Sequence, residues 1–92
     1  MRMQDAYVGD RFPVSFTVKD TTDPDRKVSS AIFTVYVNGA VVQAGDMAIG
    51  EGNLISFRFE ATRVGVHDIA VTWTMGNDRW TEVHRINVRA VV

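Results

Sequence analysis

The stretch GVHDIAVTWTMGNDRWTEVHRI, residues 65–86, decides how this chain is read, because it holds both tryptophans and both histidines of the protein on either side of a Gly-Asn-Asp. In its first arm Ile69, Val71 and Trp73 alternate with Ala70, Thr72 and Thr74, the period-two pattern of a strand with one buried face. Glycine and asparagine between two such runs supply turn geometry. The segment is therefore expected to fold as an antiparallel hairpin, and its register decides whether the four aromatic and imidazole side chains meet.

Two registers are open. A three-residue Gly76-Asn77-Asp78 loop pairs Met75 with Arg79, Trp73 with Thr81 and Val71 with Val83, aligning the apolar faces. It needs one extra residue near His84-Arg85, a β-bulge, to return Ile86, Val88 and Ala90 to the core. Alternatively a four-residue turn from Met75 to Asp78 pairs Trp73 with Trp80 but sets Glu82 opposite Val71. The bulged register is favoured, since it keeps the carboxylate off the core face. It buries Trp73, exposes Trp80, and leaves the two histidines about four residues apart, roughly 13 Å along the strands. At that distance they do not share a metal ion, which requires both nitrogens within about 2.1 Å.

Working outward, RFPVSFTVK alternates Phe12, Val14, Phe16 and Val18 against polar residues, and Pro13 suits an edge or a strand start. DTTDPDRK reads as a loop. AIFTVYVNGAVVQ sets β-branched and aromatic residues on both sides of Asn38-Gly39, the pattern of a type I′ hairpin turn. AGDMAIGEGN admits a short strand at residues 47–49, LISFRFEA places Ile55, Phe57 and Phe59 on one face, and the chain closes with a strand through RINVRAVV. No window carries a helical period. The expected core is Phe16, Val18, Val35, Phe57, Ile69, Val71 and Trp73.

Seven to eight short strands spaced by turns, over residues 1–92, predict an all-β fold, an antiparallel β-sandwich in a single domain. Gly65-Val66-His67-Asp68-Ile69 resembles the Gly-x-Tyr-x-Cys signature that enters the sixth strand of immunoglobulin domains, with His67 at the tyrosine position and Ile69 at the cysteine position. The chain departs from antibody-type domains in having no disulfide and in carrying Phe33 or Val35 where the third strand has tryptophan. Bacterial and phage immunoglobulin-like modules commonly lack both features, and the sequence is similar to those. The resemblance implies that His67 is a corner residue whose ring N–H bonds a backbone carbonyl in place of the tyrosine hydroxyl.

Composition narrows the chemistry. The 92 residues are 46% hydrophobic and 23% charged, a globular balance, although a domain this small buries only about 60–65% of its unfolded surface. Without cysteine there is no disulfide, thiolate zinc site or cysteine nucleophile. MRMQDAYVGD contains neither a signal-peptide core nor a membrane span, so synthesis and retention in the cytoplasm are expected, or a place in the virion if the chain is phage-derived. The formal net charge of −1 and the interspersion of Arg79, Arg85 and Arg89 with Asp78 and Glu82 argue against nucleic acid and read as a solvated strand face. None of the four serines lies in a nucleophile elbow. Asp20, Asp23 and Asp25 offer oxygen ligands for calcium, but Pro24, Arg26 and Lys27 and the missing EF-hand spacing favour turn chemistry.

These exclusions leave no catalytic, cofactor-binding or metal-binding residue and predict a non-enzyme without cofactors. The expected function is a structural, assembly or protein-interaction module, specifically a phage virion component of tail, baseplate or head-decoration type. Carbohydrate or surface binding through Trp80 and Tyr36, or a place within a secreted multidomain protein, stand as alternatives. The expected partners are a second copy or another structural protein, not a membrane or a small molecule. Trp80, Arg89, Val91 and Val92 are the candidate interface, because the final strand ends without lysine, proline or a charged tail to blunt its edge. The competing expectation is that residues 1–8 cover that edge.

Overall fold

A computed structural model describes residues 3–19, 23 and 25–91. Eight strands form two sheets: β1 (Met3–Tyr7), β2 (Arg11–Thr17), β3 (Ser30–Val37), β4 (Ala40–Asp46), β5 (Ala48–Ile49), β6 (Leu54–Glu60), β7 (Gly65–Met75) and β8 (Asp78–Arg89). A single 3-10 turn at Glu51–Asn53 is the one helical piece among the described residues. The larger sheet has the order β1-β8-β7-β3-β4 and the smaller the order β2-β6-β5. All neighbours are antiparallel except β1 and β8, which run parallel.

Alternation places the core between the sheets. β3 contributes Ala31, Phe33, Val35 and Val37, β6 contributes Ile55, Phe57 and Phe59, and β7 contributes Ile69, Val71 and Met75, all buried. Val18, Val35, Phe57, Ile69 and Val71 are buried as the sequence predicts, whereas Phe16 and Trp73 pack against the core while only partly buried. The β3–β4 turn has Asn38 at φ 52° and Gly39 at φ 79°, the two left-handed residues that a type I′ turn requires.

The two sides of the sandwich are closed differently. On one side a bulge between the Val35↔Gln43 and Tyr36↔Val41 pairs turns Gln43 toward the smaller sheet. There its amide Nε2 donates to Arg58 O at 2.7 Å and its Oε1 accepts from Glu60 N at 3.3 Å. One side chain thus satisfies a donor and an acceptor of β6, as a neighbouring strand would. On the other side β2 and β8 leave a cleft between their edges, lined by Phe12, Val14 and Phe16 opposite Ile69, His84 and Ile86.

The β7–β8 register corrects the favoured expectation. Met75 pairs with Asp78, Trp73 with Trp80, Val71 with Glu82, Ile69 with His84 and His67 with Ile86, without interruption. No bulge is needed, because this phase already sends Ile86 and Val88 to the core, where they are 3% and 1% exposed. Gly76 at φ 59° leads the turn, so two residues suffice to close the hairpin. The expectation failed because it treated the inner face as buried along its whole length. Glu82 does share that face with Val71, but it lies at the rim and is exposed. Val83, assigned to the core by the bulged register, is 41% exposed on the outer face.

Candidate functional site

β1 covers part of the β8 edge. It pairs Met3 with Arg85 through to Tyr7 with Arg89, and Val8 N continues the contact by donating to Arg89 O at 3.0 Å. Ala6 is buried against the core. Asp5 points outward, 3.6 Å from Arg89 Nε, and accepts a long bond from Asn87 Nδ2 at 3.5 Å. The candidate interface residues are thereby redistributed. Arg89 lies in a paired segment, Val91 is 69% exposed beyond the strand, and Val92 lies outside the described residues. Trp80 is nine positions from Arg89, about 30 Å along the strand, so the residues do not form one patch. The part of the β8 edge without a neighbouring strand among the described residues is instead residues 78–84, of which 78–82 form the hairpin end.

That end is built. Trp73 and Trp80 stack with ring centroids 6.3 Å apart and planes at 23°, and Trp80 keeps 41% of its surface exposed. Arg26 reaches in from the β2–β3 connection. Its guanidinium carbon lies 5.9 Å from the Trp80 ring centroid, within cation–π range. Its Nη2 bonds Asp78 Oδ2 at 2.8 Å and donates to Met75 O. Trp80 is therefore held by a second indole and a tethered cation. Arg26 was not legible as part of a site, since nothing local links it to a tryptophan more than fifty positions away.

The histidines come nearer than the bulged register implied, and the 13 Å separation is corrected. His67 opposite Ile86 and His84 opposite Ile69 are diagonal cross-strand neighbours, a spacing of about 7–8 Å. Each ring is nonetheless committed elsewhere. His67 is fully buried, with Nδ1 3.0 Å from Gly65 O and its ring edge-on to Phe59 at 5.5 Å. A carbonyl only accepts, so Nδ1 carries the proton. This is the corner bond that the resemblance implied. His84 stacks on Phe16 at 4.4 Å and approaches Glu82 Oε2 at 3.3 Å. No cluster of three or more His, Asp or Glu positioned to hold a metal occurs among the described residues.

The acidic loop behaves as turn chemistry where it is described. Asp23 Oδ1 accepts from Asp25 N at 3.2 Å and Asp23 O from Arg26 N at 3.1 Å; Asp20 lies outside the described residues. Asn53, at φ 59°, locks the same connection to the smaller sheet by accepting from Val28 N at 3.0 Å and donating to Arg26 O at 2.7 Å. On the outer face Arg85 pairs with Asp68 at 2.9 Å, while Arg79 has no ion-pair partner among the described residues.

No family model matches the chain, and no curated protein matches it. Solved structures do. A fibronectin(III)-like module of Clostridium thermocellum CbhA superposes with a TM-score of 0.63 at 21% identity, over 98% of this chain and 90% of that one. An engineered protein superposes at 0.75 with 17% identity, over 94% of this chain and 18% of that one. A putative glycoside hydrolase from Bacteroides vulgatus superposes at 0.58 with 16% identity, over 94% of this chain and 16% of that one. The chain thus matches one module nearly end to end but spans under a fifth of the two longer proteins. At these identities the likeness is one of fold: an immunoglobulin-like β-sandwich, as the strand pattern predicted.

Proposed function

We propose that this chain is a non-enzymatic structural or protein-interaction module that acts through its surface within a larger assembly. The observation that carries the reading is the hairpin end, where Trp73, Arg26 and Asp78 hold a partly exposed Trp80 in one position. Tryptophan is favoured at the centre of interfaces, and an anchor already ordered loses little freedom on binding. The near end-to-end match to a fibronectin(III)-like module, and the partial matches to longer chains, support a unit that serves as one part among several.

In its narrower form the proposal makes the chain a phage virion component of tail, baseplate or head, synthesised in the cytoplasm and binding itself or another structural protein. The resemblance to bacterial and phage immunoglobulin-like modules supports that form. A second reading, an accessory module on a carbohydrate-active protein, is favoured by the neighbour that is a putative glycoside hydrolase. Light scattering on the wild type, alone and with products of neighbouring genes, beside Trp80→Ser and a chain ending at Arg89, tests the proposal. Association that Trp80→Ser weakens supports it. A strictly monomeric wild type that binds none of these proteins overturns it, and retardation in polysaccharide-containing gels that Trp80→Ser abolishes would put the accessory reading in its place.

A further inference from the structure

We infer that the open β8 edge at residues 78–82, with the adjoining cleft, is an acceptor site for an extended segment of a different protein. The segment would carry acidic side chains at alternate positions with apolar side chains between them. The inference rests on the interaction-module reading and names the partner's chemistry.

Three structural features lead there. β8 is twelve residues long, but β1 pairs only with residues 85–89. Beyond β1, alternate backbone groups of residues 78–82 face away from β7 with no strand to receive them, and such groups are a template for strand addition. Two of the other edges are managed. Pro13 leaves a gap in the donors of β2, and the β4 side carries the bulge and the Gln43 bridge to β6. Finally, this edge runs at His84 into the cleft, where the ring stacks on Phe16, the near end of the half-buried row Phe16, Val14 and Phe12. An added strand points every second side chain to the side of Trp80, and its end nearest β1 reaches Phe16.

β1 supplies the pattern of what fits. Its inward residue Ala6 is small, apolar and buried. Its outward residue Asp5, opposite Asn87, reaches diagonally to Arg89 at 3.6 Å. The open stretch of β8 offers the same diagonal in the opposite direction along the strand. An acid placed opposite Thr81 stands diagonal to Arg79, which is exposed and has no ion-pair partner among the described residues. Inward positions of the same segment face Trp80 and the rim of the cleft. A second copy fits poorly as the occupant. Antiparallel pairing with the copy's own β8 edge would set Arg79 opposite Thr81 and diagonal to the copy's Arg79, a like charge with no acid beside it.

The test uses the whole 15N-labelled chain and two synthetic probes, acetyl-Glu-Val-Glu-Ala-Glu-Val-amide and acetyl-Lys-Val-Lys-Ala-Lys-Val-amide, followed by amide chemical shifts. The glutamate peptide is expected to give saturable shifts in residues 78–84 and at Phe16, and the lysine peptide weaker ones. Arg79→Glu should reverse the preference and Arg79→Gln reduce it, each by about three- to fivefold in half-saturating concentration, the scale of one exposed ion pair. The proposal is overturned if neither peptide gives saturable shifts, if the shifts map to β4 instead, or if charge reversal leaves the preference unchanged. Association that responds to Trp80→Ser while both peptides fail overturns this site alone and leaves the module reading standing.

Discussion

Phe33 of β3 and Phe57 of β6 stack across the two sheets with ring centroids 3.9 Å apart and planes within 12°. Each side chain is 7% exposed, so the pair joins the larger sheet to the smaller near the centre of the core. Phe57→Ala removes one ring and leaves a cavity that the surrounding β-branched side chains fill only in part. The expected loss is about 3–5 kcal/mol, a large share of the stability of a domain this size. Trp73→Ala should be less severe, since that ring is only partly buried. Urea denaturation of both variants checks the order, and a smaller loss for Phe57→Ala than for Trp73→Ala would contradict it.

Gln43 closes one side of the sandwich with two hydrogen bonds to the β6 backbone. Gln43→Ala exposes both backbone groups to water and is expected to cost about 1 kcal/mol, with faster amide exchange at Glu60. Gln43→Glu should fall between, because a carboxylate still accepts from Glu60 N but has no proton to donate to Arg58 O. Hydrogen exchange resolved by residue checks this, and unchanged protection at Glu60 in Gln43→Ala would mean that the bridge has no protective role.

His67 illustrates what the sequence made legible and what it hid. Its place in a Gly-x-His-x-Ile corner was readable because Gly65 supplies the required backbone, φ 135°, and a buried imidazole needs a carbonyl partner. The strand pattern and the Asn38-Gly39 turn were readable for the same reason, as local chemistry decides them. The register at Glu82 was not, because it depends on where the inner face meets solvent, a property of both sheets. β1 was not read as a strand either: MQDAY is short and polar, and it is held by parallel pairing with residues more than eighty positions away.

His67 also carries a second consequence. With Nδ1 donating to Gly65 O, the buried Nε2 is an acceptor without a partner. His67→Ala loses the bond and leaves a cavity, and about 2–4 kcal/mol is expected. His67→Phe also leaves the Gly65 carbonyl without its donor, but it fills the volume and removes the unmatched Nε2, so it should cost less than the alanine variant. Thermal melts of the two order the effects, and a nitrogen-detected tautomer assignment with the proton on Nε2 would contradict the corner bond.

The hairpin end offers the sharpest check on the register. Trp73 opposite Trp80, 6.3 Å apart and nearly parallel, places two indole transitions close enough to couple, and an exciton couplet is expected in the far-ultraviolet circular dichroism. Trp73→Phe and Trp80→Ser should each abolish it, since neither indole couples alone. The bulged register, with Trp73 opposite Thr81 and the indoles on opposite faces, would make the two losses independent and roughly additive. Arg26→Met extends the same test. It removes the bond to Met75 O, the ion pair to Asp78 and the cation over Trp80, while its methylene stem still covers apolar surface. The couplet should persist in that variant, because β7 and β8 pair without the arginine, whereas Trp80 should become more mobile in time-resolved anisotropy. Stability should fall by about 1–2 kcal/mol, discounted for the exposure of Asp78. An unchanged Trp80 anisotropy would show that the stack alone orders the indole and that the arginine has no part in holding the anchor.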